Sequence, residues 1–387
     1  MQKKIIALAI AGLASTAAFA QTNVTVYGVV DLGQALVKST GGSNNSEQPI
    51  VSRLDNNSSY VGFKGVEDLG NGLKALFQLE SGYNSDSGDS SGWGASRDTY
   101  VGLTGGFGTV VAGKLTHPLR AFGSKVELTP GAAGFGTMAS VTGTIMGIKT
   151  GADDRASNAV AYVSPNFGGF TGTVAYVNGE TRTGQDAVGT NQGGTNARQY
   201  QIAGQYENGP LFVGAGYHLA KSFNLTSLSA LGGPNVAFNE NGQDATVARL
   251  VAVYTLPTNT KLTGLYDYTQ VKTGDVGEVV LGTDKIKRHA WSIGVAQPFG
   301  KNTVGLEYGR SHNVKGDETV NDSGSQIYSA IYTYDLSKRT SLHARASYLN
   351  NGSNINNAFY NNKVDNGVTQ AAGNDYTGYM VGLRHTF

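Results

Sequence analysis

Gly108, Gly113 and Lys114 stand at the spacing G-x-x-x-x-G-K within GTVVAGKL. That is most of a loop that cradles nucleotide phosphates with backbone N–H groups and a lysine. The chemistry fails at the next position. Such a loop needs Ser or Thr after the lysine to hold magnesium, and a helix to follow; here Leu115 follows, and then Thr116-His117-Pro118, which opens a loop. No nucleotide is expected to bind. The six histidines, His117, His218, His289, His312, His343 and His385, occur singly, with no pair at metal spacing. There is no cysteine, so the chain has no disulfide framework, thiolate metal site or thiol nucleophile. The chain is expected to have no catalytic role, metal or cofactor.

The elements that hold these residues follow a period of two. In YTGYMVGLRHTF, Tyr379, Val381, Leu383 and Phe387 share one face, and Met380, Gly382, Arg384 and Thr386 the other. In LKALFQLE, Leu73, Ala75, Phe77 and Leu79 oppose Lys74, Leu76, Gln78 and Glu80. In VTVYGVVDL, Val24, Val26, Val30 and Leu32 oppose Thr25, Tyr27 and Asp31. Alternation of this kind marks strands with one apolar face, the other being small, polar or charged.

The connections alternate as well. Short turns such as EDLGNG, GGFG, ENGP and DLSKR are separated by long stretches rich in Gly, Asn, Ser and Thr, such as residues 178–196, 222–243 and 350–374. Strand, short turn, strand, long loop is the plan of an antiparallel up-and-down barrel. About sixteen candidate strands of ~10 residues are present, an even number, as in bacterial outer-membrane barrels. A soluble β-sandwich or a secreted β-repeat adhesin would also alternate, but without the regular change of loop length and with its apolar faces packed together. The composition agrees with a membrane barrel: 55 Gly and 20 Tyr, with 15% charged residues. The first twenty residues, MQKKIIALAIAGLASTAAFA, read as a cleavable secretory signal, with Lys3 and Lys4, an apolar core from Ile5 to Leu13, and Ala18-Phe19-Ala20 as the cleavage site. The barrel is then expected over residues 21–387. With 29 basic against 28 acidic residues, the chain is no general binder of nucleic acid.

VTVYGVVDLG, GFKGVEDLGNGLKALFQLE, SGWGASRDTYVGLTGGFGTVVAGK, AYVSPNFGGF, DLSKRTSL and the terminal VGLRHTF together resemble the general porins of Gram-negative outer membranes, in the beta-proteobacterial branch that includes the neisserial porins. The resemblance runs through the whole chain after the leader. It implies a sixteen-stranded barrel, a homotrimer set in outer-membrane lipid and lipopolysaccharide, a third extracellular loop folded into the pore, and passive diffusion of small hydrophilic solutes and inorganic ions. A substrate-specific channel for sugar, phosphate or carboxylate, and an adhesin or structural barrel, stand as alternatives.

Function is then expected at a constriction, whose width and charge set what passes. The longest stretch between strands, residues 116–154, is the third long loop; it carries Arg120, Lys125, Glu127, Lys149, Asp153 and Asp154. Strand phase puts Tyr60, Lys64, Lys74, Lys114 and Arg155 on the lumen wall, with Ser157 and Ala159. Lys64, Lys74, Lys114 and Arg155 form a basic wall opposite loop carboxylates, which predicts a transverse field and weak anion preference. The resemblance assigns basic wall residues to the positions of Arg155 and Lys114; Tyr60 departs from it, and Arg53 lies nearby. Arg97 also matches a family arginine, yet counting from Val101 and Leu103 puts it on the lipid face. A bulge turning it inward, or a place above the membrane, would reconcile the two.

Overall fold

The protein was analysed as a computed structural model, which describes residues 23–42, 47–86, 94, 96–146, 148–183, 195–221, 244–272, 283–359 and 371–387. The leader expected at residues 1–20 lies outside them. The strand segments are β1 (Asn23–Gly41), β2 (Gln48–Asn56), β3 (Tyr60–Gly70), β4 (Leu73–Gly82), β5 (Thr99–Gly105) and β6 (Gly108–Thr116). After a long insertion come β9 (Arg155–Val163), β10 (Phe170–Thr183), β11 (Thr195–Asn208), β12 (Leu211–Lys221), β13 (Ala245–Thr255) and β14 (Lys261–Lys272). The last five are β15 (Lys285–Phe299), β16 (Asn302–Ser311), β17 (Ser325–Asp335), β18 (Thr340–Asn351) and β19 (Asn374–Thr386). The insertion holds helices α1 (Pro118–Val126) and α2 (Ala139–Thr142), a 3-10 turn at Pro130–Ala132, and a two-stranded ribbon, β7 (Thr144–Ile145) with β8 (Ile148–Lys149).

Each segment of the main sheet pairs antiparallel with its neighbours, and β1 closes onto β19 from Val29↔Thr386 to Gly41↔Asn374. β2 and β3 both pair with β1 and form one barrel strand interrupted at residues 57–59. Sixteen strands therefore close into a barrel. Closure leaves no open sheet edge, which matters where no water can pair with free backbone groups. The C-terminus takes part in the seam: Gly28 and Phe387 exchange two backbone hydrogen bonds, of 3.2 and 3.1 Å.

The alternation read from the sequence is the outside and inside of this wall. Val101, Leu103, Val160, Ile202, Leu250, Ile293, Leu306 and Val381 are exposed on the outer face. Tyrosines Tyr176, Tyr200, Tyr266, Tyr308, Tyr328 and Tyr348 belong to that face toward the long-loop end, as an aromatic girdle does at a membrane interface. The packed core lies inside the barrel, between the insertion and the wall formed by β11–β19 and the second half of β1.

Candidate pore constriction

Residues 117–154 run across the lumen and lie along one side of it. Apolar side chains fix the course. Phe122 and Val126 of α1 pack on Ala203, Phe212, Val251, Val253 and Leu265, and Leu119 with Ala152 on Val247. Farther along, Phe135, Met138 and Val141 pack against Ala35, Val37, Ile327, Leu349, Tyr376 and Met380. Burial of each large side chain contributes about 1.5–3 kcal/mol, so a handful hold the loop without a covalent tie. At two points the backbone itself touches the wall. Gly134 (φ 86°) and Gly136 (φ 80°) leave no room for a Cβ against Asn57 Oδ1 and Ser347 Oγ, and both dihedrals favour glycine.

Three wall arginines tie down the loop's polar groups. Arg249 on β13 is 1% exposed at its side chain and grips Asp153 through Nη1–Oδ1 (2.5 Å) and Nη2–Oδ2 (2.8 Å). The same guanidinium binds Asp267 on β14 and donates to the Leu119 carbonyl. Burial alone would raise the Asp153 carboxyl; Arg249 against it outweighs that and holds it below the ordinary carboxylate range. Arg288 donates to the carbonyls of Val141, Thr142 and Thr144 at the end of α2, where a cation suits the exposed carbonyls. Arg345 donates to the carbonyls of Ala133 and Phe135. At the loop's root, His117 Nδ1 donates to Gly151 O (2.7 Å), and His218 on β12 donates through Nε2 to Thr150 O (3.1 Å).

None of these anchors was expected from the sequence. One signal was present: ARLVAVYT of β13 is apolar on both faces, and a barrel strand greasy on its inner side must have something other than water lying against it.

The opposite wall, β3 to β6 with β9 and the first half of β1, stays open. Tyr60 and Lys64 face inward, beside Tyr27. The Lys64 ammonium lies 4.9 Å from the Tyr27 ring centre, and the Tyr27 and Tyr60 rings are 6.2 Å apart. Glu80 accepts from Tyr27 Oη (2.7 Å), Gln78 and Arg97 Nε (3.2 Å). Arg97 lies in a bend before β5, so strand counting does not apply to it; its guanidinium stacks 4.2 Å over Tyr60, on the inner side. Lys74 also faces inward, but opposite Thr104 and Asp68 next to the short turn, away from the loop.

Two placements differ from expectation. Lys114 shares the outer face with Val110 and Ala112, and its cross-strand neighbour Thr99 is in phase with exposed Val101. Val111 and Leu115 instead turn inward, onto Ala156, Ala159, Ala161 and Val177. The phase was inverted because this inner patch is apolar. On β9, Asn158 adopts φ 58° and shifts the register, so Ala156 and Ala159 are both buried inside and Ser157 is exposed. Arg155, at the strand end, still reaches Asp98 (3.3 Å) and lies within electrostatic range of Arg97 and Arg120.

The loop charges divide in two. Arg120, half-buried, donates to the Asp153 carbonyl and shares that electrostatic neighbourhood. Lys125 is exposed and pairs with Glu207 at 3.3 Å near a short turn. The carboxylates turn the other way. Asp153 faces Arg249, and Glu127 accepts from Met138 N and Thr129 Oγ1 within the loop. Half-buried Asp154 accepts from His117 N through its carbonyl. The Lys149 side chain lies outside the described residues. Asp153 and Glu127 therefore do not supply the acidic side of a transverse field.

A model of the Gram-negative porin family matches residues 7–354. The chain belongs to that family. Over its whole length this porin is 33% identical to an outer membrane porin protein 32 of Delftia acidovorans, and 30% identical to a major outer membrane protein P.IB of Neisseria lactamica, each covered in full. A solved anion-selective porin from Comamonas acidovorans superposes with a TM-score of 0.72 at 29% identity, over 95% of this chain and 100% of that one. The porin sits in the outer membrane and forms a water-filled channel for passive diffusion of small hydrophilic solutes and ions.

Proposed function

We propose that this channel is a general-diffusion pore with a weak preference for anions, working as a homotrimer. The carrying observation is the disposition of charge around the open lumen. Lys64 and Arg120 face it without an ion pair among the described residues, while Asp153 and Glu127 are turned into the loop's own anchoring. Arg97 and Arg155 each have one carboxylate, Glu80 and Asp98. A net positive lining raises the local concentration of anions and slows entry of cations, an effect that fades with salt. The solved porin that superposes on this chain with a TM-score of 0.72 is itself named anion-selective.

A carboxylate-specific channel is the second reading, favoured by three inner-face tyrosines, Tyr27, Tyr60 and Tyr100, that adjoin Lys64 and Arg97. Planar-bilayer recordings separate the two. A general pore gives linear conductance unblocked by organic anions, and under a KCl gradient its reversal potential lies on the chloride side of zero. Reversal on the potassium side ends the anion proposal; saturable block by one carboxylate moves the assignment to the specific channel.

A further inference from the structure

Glu80, on the inner face of β4, is 7% exposed and joined to its neighbours on every side. Its Oε1 accepts from Tyr27 Oη (2.7 Å) and Gln78 Nε2 (3.0 Å), and its Oε2 from Arg97 Nε (3.2 Å). Its backbone carbonyl accepts from Arg97 N (3.3 Å). Arg97 is thus held at its main chain, at Nε and at its flat face, which lies 4.2 Å over the Tyr60 ring. The far edge of the guanidinium is left over. Neither Nη group of Arg97 has a hydrogen-bond or ion-pair partner among the described residues.

The arrangement repeats one residue on. Asp98 accepts at Oδ2 from Arg155 Nε (3.3 Å) and Thr116 Oγ1 (2.8 Å), and at Oδ1 from Thr116 N. Again the bond goes to Nε, and the Nη groups of Arg155 keep no partner among the described residues. Adjacent residues of a strand point to opposite faces; the bend before β5 lets Arg97 and Asp98 both act on the lumen side. Arg155 and Arg97 lie within electrostatic range of each other. The loop anchor differs: Asp153 meets Arg249 end-on across both Nη groups and so covers that fork. Glu80 and Asp98 take the side edge and leave the fork bare.

We propose that Glu80 and Asp98 are positioning residues for anion passage. Each holds its arginine by Nε, so that the two-pronged Nη edge faces the lumen and meets a planar carboxylate bidentately. The inference rests on the anion reading above and adds a shape preference to it, for carboxylates over spherical halides. An unheld arginine samples many rotamers and must be ordered by each passing solute; one fixed on three sides meets the solute already ordered. A carboxylate that merely cancelled charge would weaken the field for every anion alike. The two roles therefore separate when the carboxylate is neutralised.

The test compares acetate with chloride, two monovalent anions that feel the same field but differ in shape, by bi-ionic reversal potentials of the full mature chain in planar bilayers. Glu80→Gln keeps the side-chain size but cannot accept from both Tyr27 and Arg97. It is expected to lower the acetate-to-chloride permeability ratio about threefold, the effect of loosening two parallel charge-assisted bonds to the carboxylate. Arg97→Lys keeps the charge and has no fork, so it should lower the ratio equally. Asp98→Asn should do the same through Arg155, and it carries the test where Glu80→Gln yields no heat-modifiable barrel. If the carboxylates only cancel charge, acetate and chloride gain alike and the ratio stays at the wild-type value. An unchanged or raised ratio in any of the three folded variants overturns the inference. A wild-type reversal potential on the potassium side of a KCl gradient overturns instead the anion reading beneath it.

Discussion

Arg249 and Asp153 meet end-on through two hydrogen bonds, 2.5 and 2.8 Å long, across 96 residues of sequence. The guanidinium belongs to the barrel wall and the carboxylate to the far root of the constricting loop, so the contact fixes a flexible segment to a rigid one. Asp267, fully buried, shares the same cation. Removing the arginine would leave two carboxylates facing each other with no counter-charge, which in a buried pair costs about 3–5 kcal/mol. Arg249→Ala is therefore expected to give a folded barrel with a loosened loop: larger and noisier single-channel conductance, and a heat-modifiable band shift at lower temperature. Adding Asp153→Asn and Asp267→Asn should restore part of the loss. Quiet wild-type-like channels from Arg249→Ala would show that the apolar contacts alone hold the loop.

That contact also marks where sequence reading stops. Faces of Tyr379, Val381 and Leu383 were legible because alternation is local, and residues 116–154 stood out by length alone. The course of that loop was not legible. It depends on side chains such as Val251 and Leu265, whose inner-face greasiness looks like an error in a water-filled barrel until the loop covers it. Lys114 lies outside, not on the expected lumen wall, for the same reason: the inner face of β6 is itself apolar, with Val111 and Leu115 turned inward onto Ala156, Ala159, Ala161 and Val177. Arg97 escaped because a bend, not a strand, carries it. The pairing of Asp153 with Arg249 is set by closure of the barrel, which no local pattern records.

Selectivity should respond to inward cations and ignore the outward one. Arg120→Glu and Lys64→Glu each replace a positive charge on the open lumen with a negative one, and each is expected to move the reversal potential in a KCl gradient toward cation preference, most strongly at low salt. Lys114→Glu, on the face of Val110 and Ala112, should leave it within a few millivolts. If Lys114→Glu shifts selectivity as much as Arg120→Glu, the inside and outside of β6 have been assigned the wrong way round.

Acid should loosen the loop's root. His117 is 2% exposed, its Nδ1 donates to Gly151, and its ring centre lies 5.4 Å from that of His218. His218 donates to Thr150 through Nε2 and accepts from Gln201 at Nδ1, so its bonds require the neutral ring. Burial depresses the His117 imidazole below 6.5, partly countered by the Gly151 bond, Asp154 and Asp153, and reinforced by Arg120. A histidine with a depressed folded value takes up its proton more readily when the loop is released. Attachment is then fully present above about pH 6.5 and weakens as pH falls toward the folded value, by up to about 1.4 kcal/mol per pH unit within that window. Current fluctuations are expected to increase as the bath is acidified from pH 7 to 5. His117→Gln keeps a side-chain N–H for Gly151 but cannot titrate, so it should flatten that profile while leaving conductance at pH 7 unchanged. An identical acid response in His117→Gln would place the titrating group elsewhere.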